Sequence, residues 1–195
     1  MKAHNFPLAI IFVFCACSSD DVGTSMTDSR DNQKYRTVKI KGQVWFAENL
    51  NYDAEGSLCY ENKPANCAKY GRLYNWSTAK IACPPGWHLP DDEEWKDLTD
   101  SLGAGARLKA ESGWNNNGNG TDDYGFSALP GGSGSSIGFF SGIGDRGNWW
   151  SATEDDNDKL AYVHTIYNND VEVSRNRNPT DKTHLFSVRC LQDYR

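Results

Sequence analysis

Four cysteines, Cys59, Cys67, Cys83 and Cys190, follow a short apolar leader that ends at Cys17, and their placement limits the fold of this chain more than any other feature. Four cysteines allow three pairings, and sequence alone does not choose among them. Proximity favours Cys59 with Cys67, which leaves Cys83 with Cys190. That second bridge would close a loop of about 100 residues, a crosslink that the chain-entropy argument values at roughly 4–5 kcal/mol. It would tie an early helix to the last strand. A zinc site is the rival reading, but no Cys-x-x-Cys pair is present and the spacings are irregular.

The leader carries Lys2, an apolar run over residues 6–14 interrupted by Pro7, and then Cys15-Ala16-Cys17. These are the parts of a secretory signal. The run is about half the roughly 20 apolar residues that a spanning helix needs, so a permanent transmembrane segment is not expected. Ala16 before Cys17 and Ser18-Ser19-Asp20-Asp21 after it resemble a bacterial lipobox, in which the cysteine is acylated and becomes the new N-terminus; Phe14 departs from the aliphatic residue usual three positions earlier. The expectation is a signal peptide over residues 1–16, lipidation at Cys17, and residence at the cell envelope on the outer membrane, with the lipid as the only membrane contact. Residues 17–34, rich in Ser, Asp, Thr, Asn and Gln, bury too little apolar surface to order themselves and read as a disordered tether. Residues 35–195 are enough for one core.

The formal net charge of −6 repels phosphate backbones, and no Lys/Arg cluster overrides it, so nucleic acid is a poor candidate partner. Tyr, Trp and Phe make up 12% of the chain while long aliphatic runs are absent, so stability has to lean on aromatic packing and crosslinks.

Residues 35–40 and 43–47 alternate around a Lys41-Gly42 turn and read as an opening hairpin. Residues 48–74 read as an irregular, crosslinked excursion. Trp76, Ala79 and Cys83 then fall at helical spacing before Pro84-Pro85-Gly86, and Trp95, Leu98 and Leu102 form the stripe of a second helix. Asp91 with Glu94 three residues later is a capping box, which accounts for the carboxylate cluster Asp91-Asp92-Glu93-Glu94 without catalysis. Residues 103–147 read as a long Gly/Asn/Ser-rich loop pinned by aromatic anchors. Strand-like runs follow at 148–152, 160–167, 171–174 and 185–191, with a tight turn at Asn168-Asn169-Asp170 and Phe186, Val188 and Cys190 alternating inward.

The segments YGRLYNW (70–76), ACPPGWHLP (82–90), GNGTDDYGFSALPGG (118–132), WWSATE (149–154) and FSVRC (186–190) closely resemble the FISUMP domain, a large paralogous bacterial family often carried on lipoproteins. The resemblance covers nearly all of residues 35–193. It implies an α+β, C-type-lectin-like fold: two short helices on small antiparallel sheets, long irregular loops and two disulfides. In that fold a helix cysteine pairs with a cysteine of the final strand, the places held by Cys83 and Cys190. The family carries no established reaction.

Little in the chain points to catalysis. His88, His164 and His184 sit in no nucleophile motif, His88 between Trp87 and Leu89 reads as a packed residue, and a bridged Cys190 has no thiolate to react. An oxygen-rich run, Asn115, Asn117, Asn119, Asp122 and Asp123, imitates the first half of an EF-hand loop. Its twelfth position is Phe126 rather than a bidentate Glu, so it is at most a weak calcium candidate, and Asn-Gly turns need no ion. No other cofactor is expected.

If the lectin-like topology holds, a face opposite the termini would carry Trp149, Trp150, Glu154, Asn168, Asn169, Asp170, Arg175, Asn176, Arg177 and Asn178. Amides and carboxylates can bond sugar hydroxyls while aromatic faces stack on pyranose rings, and exposed aromatics also suit protein interfaces. Adjacent Trp149 and Trp150 alternate on a strand, so at least one is expected in the core. The expected function is a non-catalytic binding module for polysaccharide or a partner protein; the alternative is a structural envelope lipoprotein without specific ligand.

Overall fold

The computed structural model describes residues 24–100, 105–170, 172–175 and 179–194. The leader, Cys17, and Asn176, Arg177 and Asn178 lie outside the described residues, as does the side chain of Arg175.

Strand β1 (Thr24–Thr27) runs antiparallel to β2 (Lys34–Ile40), which turns at Lys41-Gly42 into β3 (Gln43–Phe46). Lys41 and Gly42 both have positive φ, 52° and 89°, as a two-residue hairpin turn with the native strand twist requires. The ordered fold therefore begins at least eleven residues before Tyr35, and the tether expectation fails over residues 24–34. Backbone pairing rather than apolar composition accounts for this. Asp28 is wholly buried and receives the Arg30 guanidinium, which also donates to the Ala82 carbonyl at 2.8 Å and lies 3.8 Å over the Tyr52 ring.

The excursion that follows is more regular than its sequence implies. β4 (Ser57–Leu58) leads through a 3-10 turn (Tyr60–Asn62) to α1 (Pro64–Tyr70), then to β5 (Leu73–Tyr74), which pairs back on β4. The Cys59–Cys67 bridge joins the residue before the turn to the middle of α1. The expectation of two helices is thus corrected to three among the described residues. Next comes α2 (Trp76–Ala82), whose Asn75 side chain accepts from the Thr78 amide and caps it. β6 (Trp87–His88) and α3 (Asp92–Thr99) follow, and α3 starts on the reciprocal Asp91/Glu94 capping box. Trp95 and Leu98 of α3 point into the core.

The supposed long loop contains a hairpin, β7 (Gly131–Ser135) and β8 (Phe140–Ile143). The chain continues as β9 (Arg146–Glu154), β10 (Leu160–Tyr167), β11 (Ser174–Arg175), β12 (Thr180–Asp181), β13 (His184–Leu185) and β14 (Leu191–Gln192). β14 inserts between β3 and β6, giving the order β1-β2-β3-β14-β6. A larger sheet runs β11-β10-β9-β7-β13, with β8 on β7 and β12 on β10; its pairs are antiparallel except β7 with β9, which meet in parallel at Gly132 and Gly147. Residues 185–191 are not one strand. They bridge successively to Tyr74, Trp149 and Trp45 while crossing between the sheets.

Two cores lie on opposite faces of the same strands. Phe46, Trp150, Val163, Val188 and Cys190 pack in one with Tyr74 and Trp76; Trp45, Trp149, Ile166 and Leu191 pack in the other with Trp95 and Phe126. Because strand side chains alternate, the adjacent pairs Trp45-Phe46 and Trp149-Trp150 feed one residue to each core. Cys83, at the end of α2, is bridged to Cys190, a span of 107 residues. A third, smaller cluster gathers Tyr60, Leu73 and Leu185 with Phe140 and Ile143 against it. No helix among the described residues is long and apolar enough to cross a membrane.

Candidate functional site

The aromatic pair expected on a binding face is not on a surface. Trp149 and Trp150 have no solvent exposure, and their indole N–H groups donate to Asn49 Oδ1 (2.9 Å) and the Tyr74 carbonyl (2.7 Å). Both are core residues because β9 has packed structure on both faces, whereas the expectation allowed one solvent face. Glu154 sits at the exposed end of β9 and accepts from Lys182 Nζ at 2.9 Å. The Asn168-Asn169-Asp170 turn lies beyond β10, with the carbonyls of Asn168 and Asp170 taken by buried Lys109 Nζ (3.1 and 2.7 Å). Burial lowers the pKa of that lysine, while Asp170 works the other way. Trp149, Trp150, Glu154 and the Asn168-Asn169-Asp170 turn are therefore not gathered at one site.

The oxygen-rich run is likewise committed to the protein. Asn119 Oδ1 accepts from the Trp114 amide, Asp122 Oδ1 from the Ser127 amide at 2.7 Å, Asp123 Oδ2 from Arg107 Nε at 2.6 Å, and Asn115 donates to Asp145. Asn116, Asn117 and Asp122 adopt positive φ. This turn network commits oxygens of Asn119, Asp122 and Asp123 to separate protein donors, which weighs against the weak calcium reading of Asn115, Asn117, Asn119, Asp122 and Asp123.

A different site emerges where the β7–β8 hairpin meets the ends of β9, β10, β12 and β13. A cleft of about 380 Å³ opens there, lined on one side by Ser133, Phe139, Phe140 and Ser141 and on the other by Arg146, Tyr167, Thr180 and His184. Register brings them together: Tyr167 pairs with Arg146, Ser133 with Ser141, and His184 with Ser135. β7 can pack this closely against β8 because glycines stand at 132 and 134. Gly132 has φ +70°, and a Cβ there would lie 2.7 Å from the Ile143 nitrogen; one on Gly134 would lie 2.9 Å from the Phe140 ring.

The Phe140 ring rests on Tyr60 with centroids 5.2 Å apart, so the Cys59–Cys67 excursion supports the floor of the cleft. At the hairpin tip Ile137 and Phe139 are 79% and 74% exposed, two large apolar side chains presented to solvent. Arg146 Nη2 donates to Ser141 Oγ at 2.7 Å and reaches Ser133 Oγ at 3.4 Å. His184 Nδ1 is 3.2 Å from the Asp181 carbonyl, which can only accept, so Nδ1 donates. Aromatic faces, hydroxyls, a fixed cation and an imidazole thus share one concavity, a composition suited to binding.

The remaining histidines are structural. His164 is buried, stacked on Trp95 with centroids 4.9 Å apart and bonded to Asp92. His88 lies between two carboxylates, Nδ1 at 2.7 Å from Asp193 and Nε2 at 2.9 Å from Glu94, an arrangement in which both ring nitrogens donate only as the imidazolium. Partial burial opposes that charge, but the hydrogen bonds to Asp193 and Glu94 outweigh it and raise the pKa. A base whose pKa is raised by folding contributes its stability fully below its unfolded value of about 6.5 and loses it as pH climbs through the folded value. Urea titrations should therefore find the stability gap between the unaltered chain and His88→Gln widest near pH 5.5 and narrowing towards pH 8.5; a gap that is constant or grows with pH contradicts the assignment.

Comparison with known proteins bears on the family and not on the site. No curated protein and no solved structure matches the chain. The family model described as the Fibrobacter succinogenes major domain matches residues 38–192, from the middle of β2 to the last strand and across both cores, and the chain belongs to that family.

Proposed function

We propose that this protein is an exported, lipid-anchored module of the cell envelope, at the outer membrane, that holds polysaccharide in the cleft beside the β7–β8 hairpin and catalyses no reaction. The observation that carries this reading is the cleft itself. Phe139 and Tyr167 offer ring faces, Ser133, Ser141 and Thr180 offer hydroxyls, and among the described residues no carboxylate or thiol lines it. Sugar rings stack on the former and hydrogen-bond to the latter. The one long-range thiol pair, Cys83 and Cys190, is spent in a bridge, which removes the nucleophile a cysteine mechanism would need.

A C-type-lectin-like arrangement is part of the same reading. It is supported by the bridge from the end of α2 to Cys190 and by the pairing of the last strand with β3, which bring the two ends of the domain together and leave the 105–145 excursion to build a separate surface. The anchor is supported by the leader and by Cys17.

Pull-down of the full chain on insoluble plant fibre and on a glycan array is expected to show binding that Phe139→Ala or Tyr167→Ala weakens about tenfold, equivalent to about 1.4 kcal/mol, with unfolding midpoints unchanged. Uniform failure to bind would favour a structural envelope protein, and binding indifferent to both substitutions would move the site elsewhere. Incorporation of labelled palmitate in the producing cell should vanish in Cys17→Ser; incorporation that survives would refute the anchor.

A further inference from the structure

We propose that the polysaccharide taken by this cleft is anionic, with the acidic substituent of a sugar ring received by Arg146. The inference rests on the cleft being the binding site. Among the described residues Arg146 is the only formally charged side chain lining it, in a chain whose net charge is −6. Every other arginine whose side chain is described and reaches solvent has a carboxylate: Arg30 has Asp28, Arg36 has Glu48, Arg72 has Asp53 and Arg107 has Asp123. Arg146 has two serine hydroxyls instead, and its Nε is buried without an acceptor.

A guanidinium held by neutral hydroxyls keeps its positive charge uncompensated inside a partly enclosed, low-dielectric concavity. An incoming carboxylate or sulfate would supply the missing counter-charge and form the charge-assisted hydrogen bonds for which a planar guanidinium is suited. Ser133 and Ser141, whose hydroxyls can rotate, would then donate to the same anion. Phe139 and Tyr167 at the rim leave room for the ring that bears it. The net charge of −6 repels polyanions in general, so retention of one is not accounted for by unspecific ionic capture.

The test compares the full chain on immobilised polygalacturonate, its methyl-esterified form, a sulfated galactan and neutral xylan at physiological salt. Retention on polygalacturonate or on the sulfated galactan should exceed that on the uncharged polymers by about tenfold or more, and the two acidic polymers separate a carboxylate ligand from a sulfate ligand. Arg146→Gln should abolish the preference and Arg146→Lys should retain part of it, because the charge survives without the planar fork. Retention on both acidic polymers no greater than on the ester and the xylan, or a preference that outlasts Arg146→Gln, overturns the anionic ligand while leaving polysaccharide binding in place. Retention on no polymer, acidic or neutral, removes both readings. Should Arg146→Gln fail to fold, the comparison of the two acidic polymers with the uncharged ones on the unaltered chain still decides.

Discussion

A single buried guanidinium holds together segments that are far apart in sequence. Arg189 has no exposure, and its Nε donates to Asn49 Oδ1, its Nη1 to the carbonyls of Phe46 and Phe126, and its Nη2 to the carbonyl of Ser127. Its plane lies 4.4 Å from the Phe126 ring. Asn49 extends the network by accepting from Trp149 Nε1 and donating to the Tyr70 carbonyl. Every acceptor that holds the guanidinium is neutral. Burial lowers the pKa to about 9, still above neutrality, so the folded protein keeps a desolvated cation stabilised by directed carbonyl dipoles. The next residue, Cys190, is covalently bound to the end of α2.

The segment 186–190 is where these constraints meet. Phe186, Val188 and Cys190 go to the core that contains Trp150, while Ser187 and Arg189 point to the polar hub on the other side. Ser187 donates its amide to the Asn148 carbonyl and fixes the segment against β9. Phe186, at the start of the segment, both packs on Trp150 and lines the cleft. The cleft is therefore attached to the most constrained part of the molecule, with the smaller disulfide excursion supporting its other wall through Tyr60. A rigid base with an exposed aromatic tip suits recognition, since the ordering cost of binding is met during folding.

Local chemistry was readable from the sequence, and long-range geometry was not. The Lys41-Gly42 hairpin, the helix spaced by Trp76 and Ala79 and stopped before Pro84-Pro85-Gly86, and the Asp91/Glu94 capping box rest on neighbours within a few residues, and all three stand in the structure. Helix α1 carried a usable signal in Pro64 at its first position, which the Asn- and Tyr-rich surroundings obscured. β7 carried none: Gly-Gly-Ser-Gly-Ser has no strand-forming side chain, and its conformation is imposed by the atoms that crowd it. The burial of both Trp149 and Trp150 needs two cores, a fact that no strand reports by itself. Arg189 alternates with inward residues and so reads as solvent-facing until the carbonyls around it are placed. The cleft went unread because one wall comes from the β7–β8 stretch without periodicity, and Arg146, Tyr167, Thr180 and His184 meet it only through long-range strand register.

Replacing Arg189 by Met tests the account most directly, because the side-chain volume is nearly kept while four acceptors lose their donor. Buried polar groups left unmatched cost about 1–3 kcal/mol each, and the contributions overlap, so urea denaturation should register a loss of at least about 3 kcal/mol together with a changed near-ultraviolet signal from the surrounding tryptophans. An Arg189→Met protein with the unfolding midpoint and spectrum of the unaltered chain would contradict the claim that this cation organises the fold.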